Sequence, residues 1–95
     1  MNVNVQSIKF DADKKLIDFI DKKLSKLEKF FDEIVGADVY LKVDNQPLDN
    51  KKVEIRLQIP GHDVFAEKVS KSFEESTDLC IDALKIQLNK VKEKK

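Results

Sequence analysis

Much of what small proteins use for chemistry is scarce in this chain. Tryptophan is absent, and cysteine, histidine, methionine and tyrosine occur once each among 95 residues. The single Cys80 excludes an internal disulfide framework, and a lone cysteine suits a reducing compartment. One cysteine and one histidine cannot build a tetrahedral zinc site. Glycine stands only at positions 36 and 61, so neither a Walker loop nor a dinucleotide-binding Gly-rich turn is present. No stretch approaches the roughly 20 apolar residues that cross a bilayer. Met1-Asn2-Val3-Asn4-Val5 alternates apolar and polar residues, unlike a secretory leader with its basic start and unbroken apolar run. A cytoplasmic protein without cofactor, metal, small-molecule substrate or membrane partner is the expectation.

Charge of one sign is not in excess either. Lys+Arg and Asp+Glu both number 18, for a net charge of zero. The balance is uneven along the chain. Residues 37–82 hold ten acids and six bases, whereas residues 83–95 hold five lysines against Glu93 alone. Binding depends on where charge sits, so zero net charge does not exclude a nucleic-acid partner.

What is present is a clear order of elements. Residues 2–8 read as a strand with Val3 and Val5 on one face. Asp11 or Asp13 can cap a helix, because a carboxylate there accepts the orphan backbone N–H groups of the first turn. Leu16, Ile20, Leu24, Leu27 and Phe31 recur at spacings of three and four, giving a helix to about Phe31 with one apolar stripe. Gly36 is expected to supply the stop. Val39, Leu41 and Val43 alternate with Tyr40 and Lys42 as a second strand, and residues 45–50 form a turn-rich loop. Val53, Ile55, Leu57 and Ile59 alternate with outward Glu54, Arg56 and Gln58. Pro60-Gly61-His62-Asp63 makes a tight connection into a fourth strand at 64–69. From Ser70 or Ser72 a long helix runs to the end, with Phe73, Thr77, Cys80, Ile81, Leu84, Leu88 and Val91 facing inward and Lys92 to Lys95 fraying.

The order β-α-β-β-β-α predicts an α+β two-layer sandwich: a four-stranded sheet with two helices on one face, resembling a double-stranded-RNA-binding domain. Residues 1–95 form one domain on this reading, with Val3, Val5, Val39, Leu41, Val43, Val53, Ile55 and Leu57 of the strands in its core.

No catalytic set emerges, and an enzyme is not expected. His62 falls in a turn with no nucleophile or orienting acid around it. Asp32-Glu33 and Glu74-Glu75 lie near helix ends, where carboxylates are solvated. Cys80 lies on the apolar stripe and reads as a small core residue. The lysines are more informative. At 100° per residue, Lys15, Lys22, Lys26 and Lys29 share a narrow arc opposite the leucine stripe, and Lys23 flanks it. Lys85, Lys90, Lys92 and Lys94 stand on the second helix. If the helices lie side by side, these side chains meet in a basic strip that attracts phosphates. The acids Glu54, Glu67, Glu74 and Glu75 then face elsewhere. Leu79, Ala83 and Ile86 share the outward side of the second helix.

At this point the residues resemble a known family. Lys22-Lys23-Leu24-Ser25-Lys26-Leu27-Glu28-Lys29-Phe30-Phe31 is similar to the K-x-x-K-L-E-(x)-aromatic signature of the ribosome hibernation promoting factors. These include the ribosome-associated translation inhibitor and the light-repressed protein. Residues 39–43 resemble the family's second strand. Asp78 to Lys90 resembles its closing helix, which typically reads I-D-x-x-x-x-K-L-x-x-Q-L-x-K. The chain departs from the pattern in having Ser72-Phe73-Glu74 for an aspartate–apolar–tyrosine opening. It also has Ala83 for a usual lysine and Ile86 for a usual arginine.

The resemblance implies a short-form factor, without the C-terminal extension of long members. It further implies that the chain binds the small ribosomal subunit and its ribosomal RNA, in the channel of messenger and transfer RNA. Translation would then be inhibited in stationary phase or stress. The matched basic positions are Lys23, Lys26, Lys90, Lys92 and Lys94, with Lys22, Lys29 and Lys85 beside them. The alternative is a general RNA-binding or protein-interaction module of the same fold with no ribosome role.

Overall fold

The computed structural model describes residues 1–93. The elements are β1 (Asn2–Ile8), α1 (Lys14–Phe30), β2 (Gly36–Val43), β3 (Lys51–Ile59), β4 (His62–Ser70) and α2 (Phe73–Glu93). The strands form one sheet in the order β1-β2-β3-β4, with β1 parallel to β2 and the other pairs antiparallel. Parallel neighbours need a long crossover, and α1 supplies it. The α+β sandwich expected from the pattern is the observed architecture.

Local chemistry sets the boundaries. Asp13 starts α1, its carboxylate accepting the Leu16 N–H at 2.8 Å. Ser72 does the same for α2, its hydroxyl accepting the Glu75 N–H at 3.1 Å. The β3–β4 turn uses Pro60 and Gly61. Gly61 has φ of 93°, which a β-carbon would disfavour although the space beside it is open.

Gly36 does not stop α1. The helix ends when Phe31 turns extended, with its N–H still bonded to the Leu27 carbonyl at 2.9 Å. Gly36 instead opens β2, where a β-carbon would stand 2.7 Å from Gln58 Oε1 and 3.2 Å from the Asn2 carbonyl oxygen. A side chain there would displace the flexible end of Gln58 and crowd the β1 backbone. Lys92 does not fray either, since α2 continues through it to Glu93; Lys94 and Lys95 lie outside the described residues.

One face of the sheet carries the core. Ala37, Val39, Leu41, Val53, Ile55, Leu57, Ile59, Val64 and Ala66 are buried against Leu16, Ile20, Leu24 and Leu27 of α1. Cys80, Ile81, Leu84 and Leu88 of α2 complete the cluster. Both helices therefore lie on the same face. Phe10 and Phe73 stack at 5.1 Å between ring centroids and tie the segment before α1 to the start of α2.

Two expected core residues are not buried. Val3 is 36% exposed and Val43 44%, and Val5 is only half-buried. Val3 and Val5 have the inward register, opposite Ala37 and Val39, but β1 is an edge strand. Val43 closes β2 at its far end.

The N-terminal half of α2 is held by polar contacts that an apolar stripe does not reveal. Ser76 is fully buried and donates to the Lys51 carbonyl at 2.6 Å, with the Ser70 hydroxyl 2.7 Å away. The Cys80 thiol donates to the Val53 carbonyl at 3.3 Å, and burial pushes its pKa up to about 12. It is a packed thiol, unlike a reactive one. Further along, the Gln87 amide closes the open edge of β4. Its Nε2 donates to the Phe65 carbonyl at 2.7 Å and its Oε1 accepts the Phe65 N–H at 3.4 Å.

The difference between centre and edge is measurable. Leu24→Ala should destabilise the fold by about 2–5 kcal/mol in urea denaturation. Val3→Ala should cost roughly 1 kcal/mol or less, since much of its side chain is already in water. Equal costs would show that β1 is more deeply buried than its exposure implies.

Candidate nucleic-acid interface

Because α1 and α2 share one sheet face, they run as neighbours and leave a groove between them. Lys23, Lys26, Asp78, Ile81, Asp82 and Lys85 line a hollow of about 400 Å³ there. Lys23 and Asp78 span it in an ion pair at 3.0 Å. Lys23 also lies 5.3 Å from the centroid of the Phe19 ring. It is thus held on two sides and half-buried, as its position beside the leucine stripe requires. Lys26 and Lys85 are exposed and make no ion pair among the described residues.

A second hollow, of about 270 Å³, is lined by Lys29, Phe30, Phe31, Asp32, Glu33 and Lys92. Phe30 is its organising residue. The Lys92 ammonium stands 4.0 Å from the centroid of that ring and the Lys85 ammonium 5.9 Å from it. The ring's negative face attracts both cations. One half-buried aromatic of α1 therefore gathers two lysines of α2 beside the lysines of its own helix.

The expected basic residues separate accordingly. Lys23, Lys26 and Lys85 meet in the groove, and Lys29 and Lys92 meet around Phe30. Lys22 and Lys90 are exposed but line neither hollow. Lys94 lies outside the described residues.

Of the acids expected to face elsewhere, Glu54 and Glu67 stand opposite each other on the outer sheet face, and Glu74 and Glu75 open α2. Asp78 and Asp82 were not anticipated in the groove. A signal existed: positions 78, 82 and 85 follow spacings of four and three, which puts both acids on one face with Lys85. The role of Phe30 carried no comparable signal, since it depends on lysines more than fifty positions away in sequence. On the far side of α2, Leu79 and Ile86 are 41% and 61% exposed, as expected, and Ala83 is partly buried.

The outer sheet face has a different electrostatic character. Lys52 pairs with Glu67 at 3.6 Å and Arg56 with Asp63 at 3.7 Å. Arg56 also covers the Phe65 ring at 5.2 Å. The Glu54 pKa is raised by burial first, and then by the hydrogen bond and repulsion from Glu67.

Fold and surface together define a class. Residues 3–95 match the family described as Sigma 54 modulation protein / S30EA ribosomal protein. The chain belongs to this family, which is one of ribosome-binding hibernation factors and not of enzymes. A Pseudomonas putida protein named ribosome hibernation promoting factor is 35% identical over 99% of this chain and 89% of its own length. An Azotobacter vinelandii protein of the same name is 33% identical over 99% of this chain and 85% of its own length. A solved ribosomal subunit interface protein from Coxiella burnetii superposes with a TM-score of 0.88 at 25% identity. The match covers 98% of this chain and 99% of that one. The resemblance read from the helix motifs is borne out. Among the described residues no helix is long and apolar enough to cross a membrane.

The carboxylate pair has a consequence for stability. Glu54 has a raised pKa in the folded state, so folding favours its protonated form. The associated stabilisation is present below the ordinary carboxylate pKa and is lost as pH rises through the raised one. Glu54→Gln should therefore raise the urea midpoint at pH 7, and the gain should shrink toward zero as the pH falls below the carboxylate range. A gain that is constant with pH would mean that ionisation of Glu54, against burial and Glu67 together, is not its source.

Proposed function

We propose that this protein is a hibernation factor that silences ribosomes when growth stops. It binds the small ribosomal subunit through the paired faces of α1 and α2 and lies in the channel that messenger and transfer RNA otherwise occupy. The observation that carries the reading is the convergence of Lys23, Lys26, Lys29, Lys85 and Lys92 along one helix–helix surface. Such a surface displaces counterions from folded RNA despite zero net charge. Lys22 and Lys90, both exposed, are proposed to add to its positive charge; Lys94 is proposed with them from the family resemblance alone. Residues 1–95 act as one ribosome-binding unit, and the cytoplasm is where it works. Family membership and the names of the hibernation promoting factors support the ribosomal partner.

Co-sedimentation with purified small subunits through sucrose gradients tests this. Binding should weaken steeply between low and physiological salt. Lys26→Gln with Lys85→Gln should remove two phosphate contacts and flatten the slope of log affinity against log salt by roughly two. Lys42→Gln with Arg56→Gln, on the outer sheet face, should leave that slope near wild type. Equal damage from both pairs would place the RNA on the sheet. A wild-type chain that stays at the top of the gradient would favour a general RNA-binding or protein-interaction module.

A further inference from the structure

The groove contains two carboxylates where a purely phosphate-binding surface would have none. Asp78 and Asp82 stand among Lys23, Lys26 and Lys85, and Asp78 holds Lys23 at 3.0 Å. We infer that Asp78 is a positioning residue for RNA selectivity: it withholds Lys23 from unstructured polyanions and demands a hydrogen-bond donor from whatever enters the groove. This rests on the proposed function for the identity of the cognate RNA, and on the groove alone for the rest.

The argument starts with Lys23. Its ammonium is already paired with Asp78 and lies over the Phe19 ring, so a phosphate approaching it must displace a carboxylate. Exchange of one anion for another yields little, and it leaves Asp78 facing the incoming charge. A strand held only by diffuse attraction thus gains from Lys26 and Lys85 but not from Lys23.

A folded RNA surface differs. It can present a phosphate at Lys26 or Lys85 and, in fixed relation to it, an exocyclic amine or 2′-hydroxyl at Asp78 or Asp82. Carboxylates accept such donors well, and the 2′-hydroxyl marks RNA. A flexible strand must order itself to reproduce that arrangement. The acids therefore penalise loose binding more than seated binding.

Fluorescence anisotropy of a labelled oligouridylate and co-sedimentation with small subunits, each run over a salt series, separate these effects. Asp78→Asn should bind oligouridylate about fivefold tighter at low salt. Its salt slope should steepen by roughly 0.7, the value for one added phosphate contact on a single strand. Its affinity for small subunits should not rise likewise, since a seated RNA donor loses the carboxylate that accepts it. Asp78→Glu should restore wild-type behaviour. In a Lys23→Gln background, Asp78→Asn should no longer steepen the salt slope and should give a smaller gain, because no withheld cation is left to release. Asp63→Asn makes the same change in net charge on the outer sheet face and should leave oligouridylate binding unaltered.

The inference is overturned if Asp63→Asn gains as much as Asp78→Asn, since net charge alone then governs binding. It also fails if Asp78→Asn shows no gain, or gains equally on small subunits. A wild-type protein that ignores small subunits would remove the proposed function, while the oligouridylate comparison would still decide whether Asp78 withholds Lys23.

Discussion

A four-stranded sheet with a single apolar face can be covered only on that face, and most of this molecule follows from the resulting crowding. Two amphipathic helices must share an area set by strand length and spacing, so they become neighbours. Their contact line then carries whatever flanks the two apolar stripes. On α1 those flanks are lysines, and on α2 they are aspartates and a lysine. The charged groove is thus a by-product of where the apolar residues must go. Its composition is set by a few positions beside each stripe, most of which leave the core untouched.

Where the pattern depended on near neighbours in sequence, it was legible. Alternation in β2 and β3, the leucine stripe of α1 and the cap at Asp13 all express local periodicity or local hydrogen bonding, and each appears in the fold. Val3 and Val43 illustrate the limit. Alternation says which way a side chain points, not whether anything lies above it, and the cover over an edge strand or a strand end depends on the whole assembly. Gly36 shows the same limit for backbone. Its proximity to α1 suggested a helix stop, whereas the constraint on it comes from β1 and β3 on either side. In the groove, the lysines were visible as an arc, but the partner of Lys23 required knowing which face of α2 would meet α1.

The polar residues of α2 solve a different problem. An apolar stripe alone lets a helix slide or rotate on a sheet, because burial is non-directional. Hydrogen bonds from Ser76 and Cys80 to carbonyls of β3 have direction, as does the paired contact between Gln87 and the Phe65 backbone. Together they hold α2 in register at three points along its length. The register matters to the surface as much as to the core. A rotation of one residue, about 100°, would carry Asp78, Asp82 and Lys85 away from α1 and bring other side chains to the groove.

The contact between Lys92 and Phe30 has a consequence for the entropy of recognition. A free lysine side chain loses on the order of 1.5–2 kcal/mol of rotamer freedom when it is immobilised. With its ammonium 4.0 Å from the ring centroid, Lys92 has given up part of that freedom during folding. The ring attracts the charge without neutralising it, which a carboxylate would do. An anion arriving at this end of the helix pair therefore meets a cation that is already oriented, and less disorder remains to be lost when the two come together.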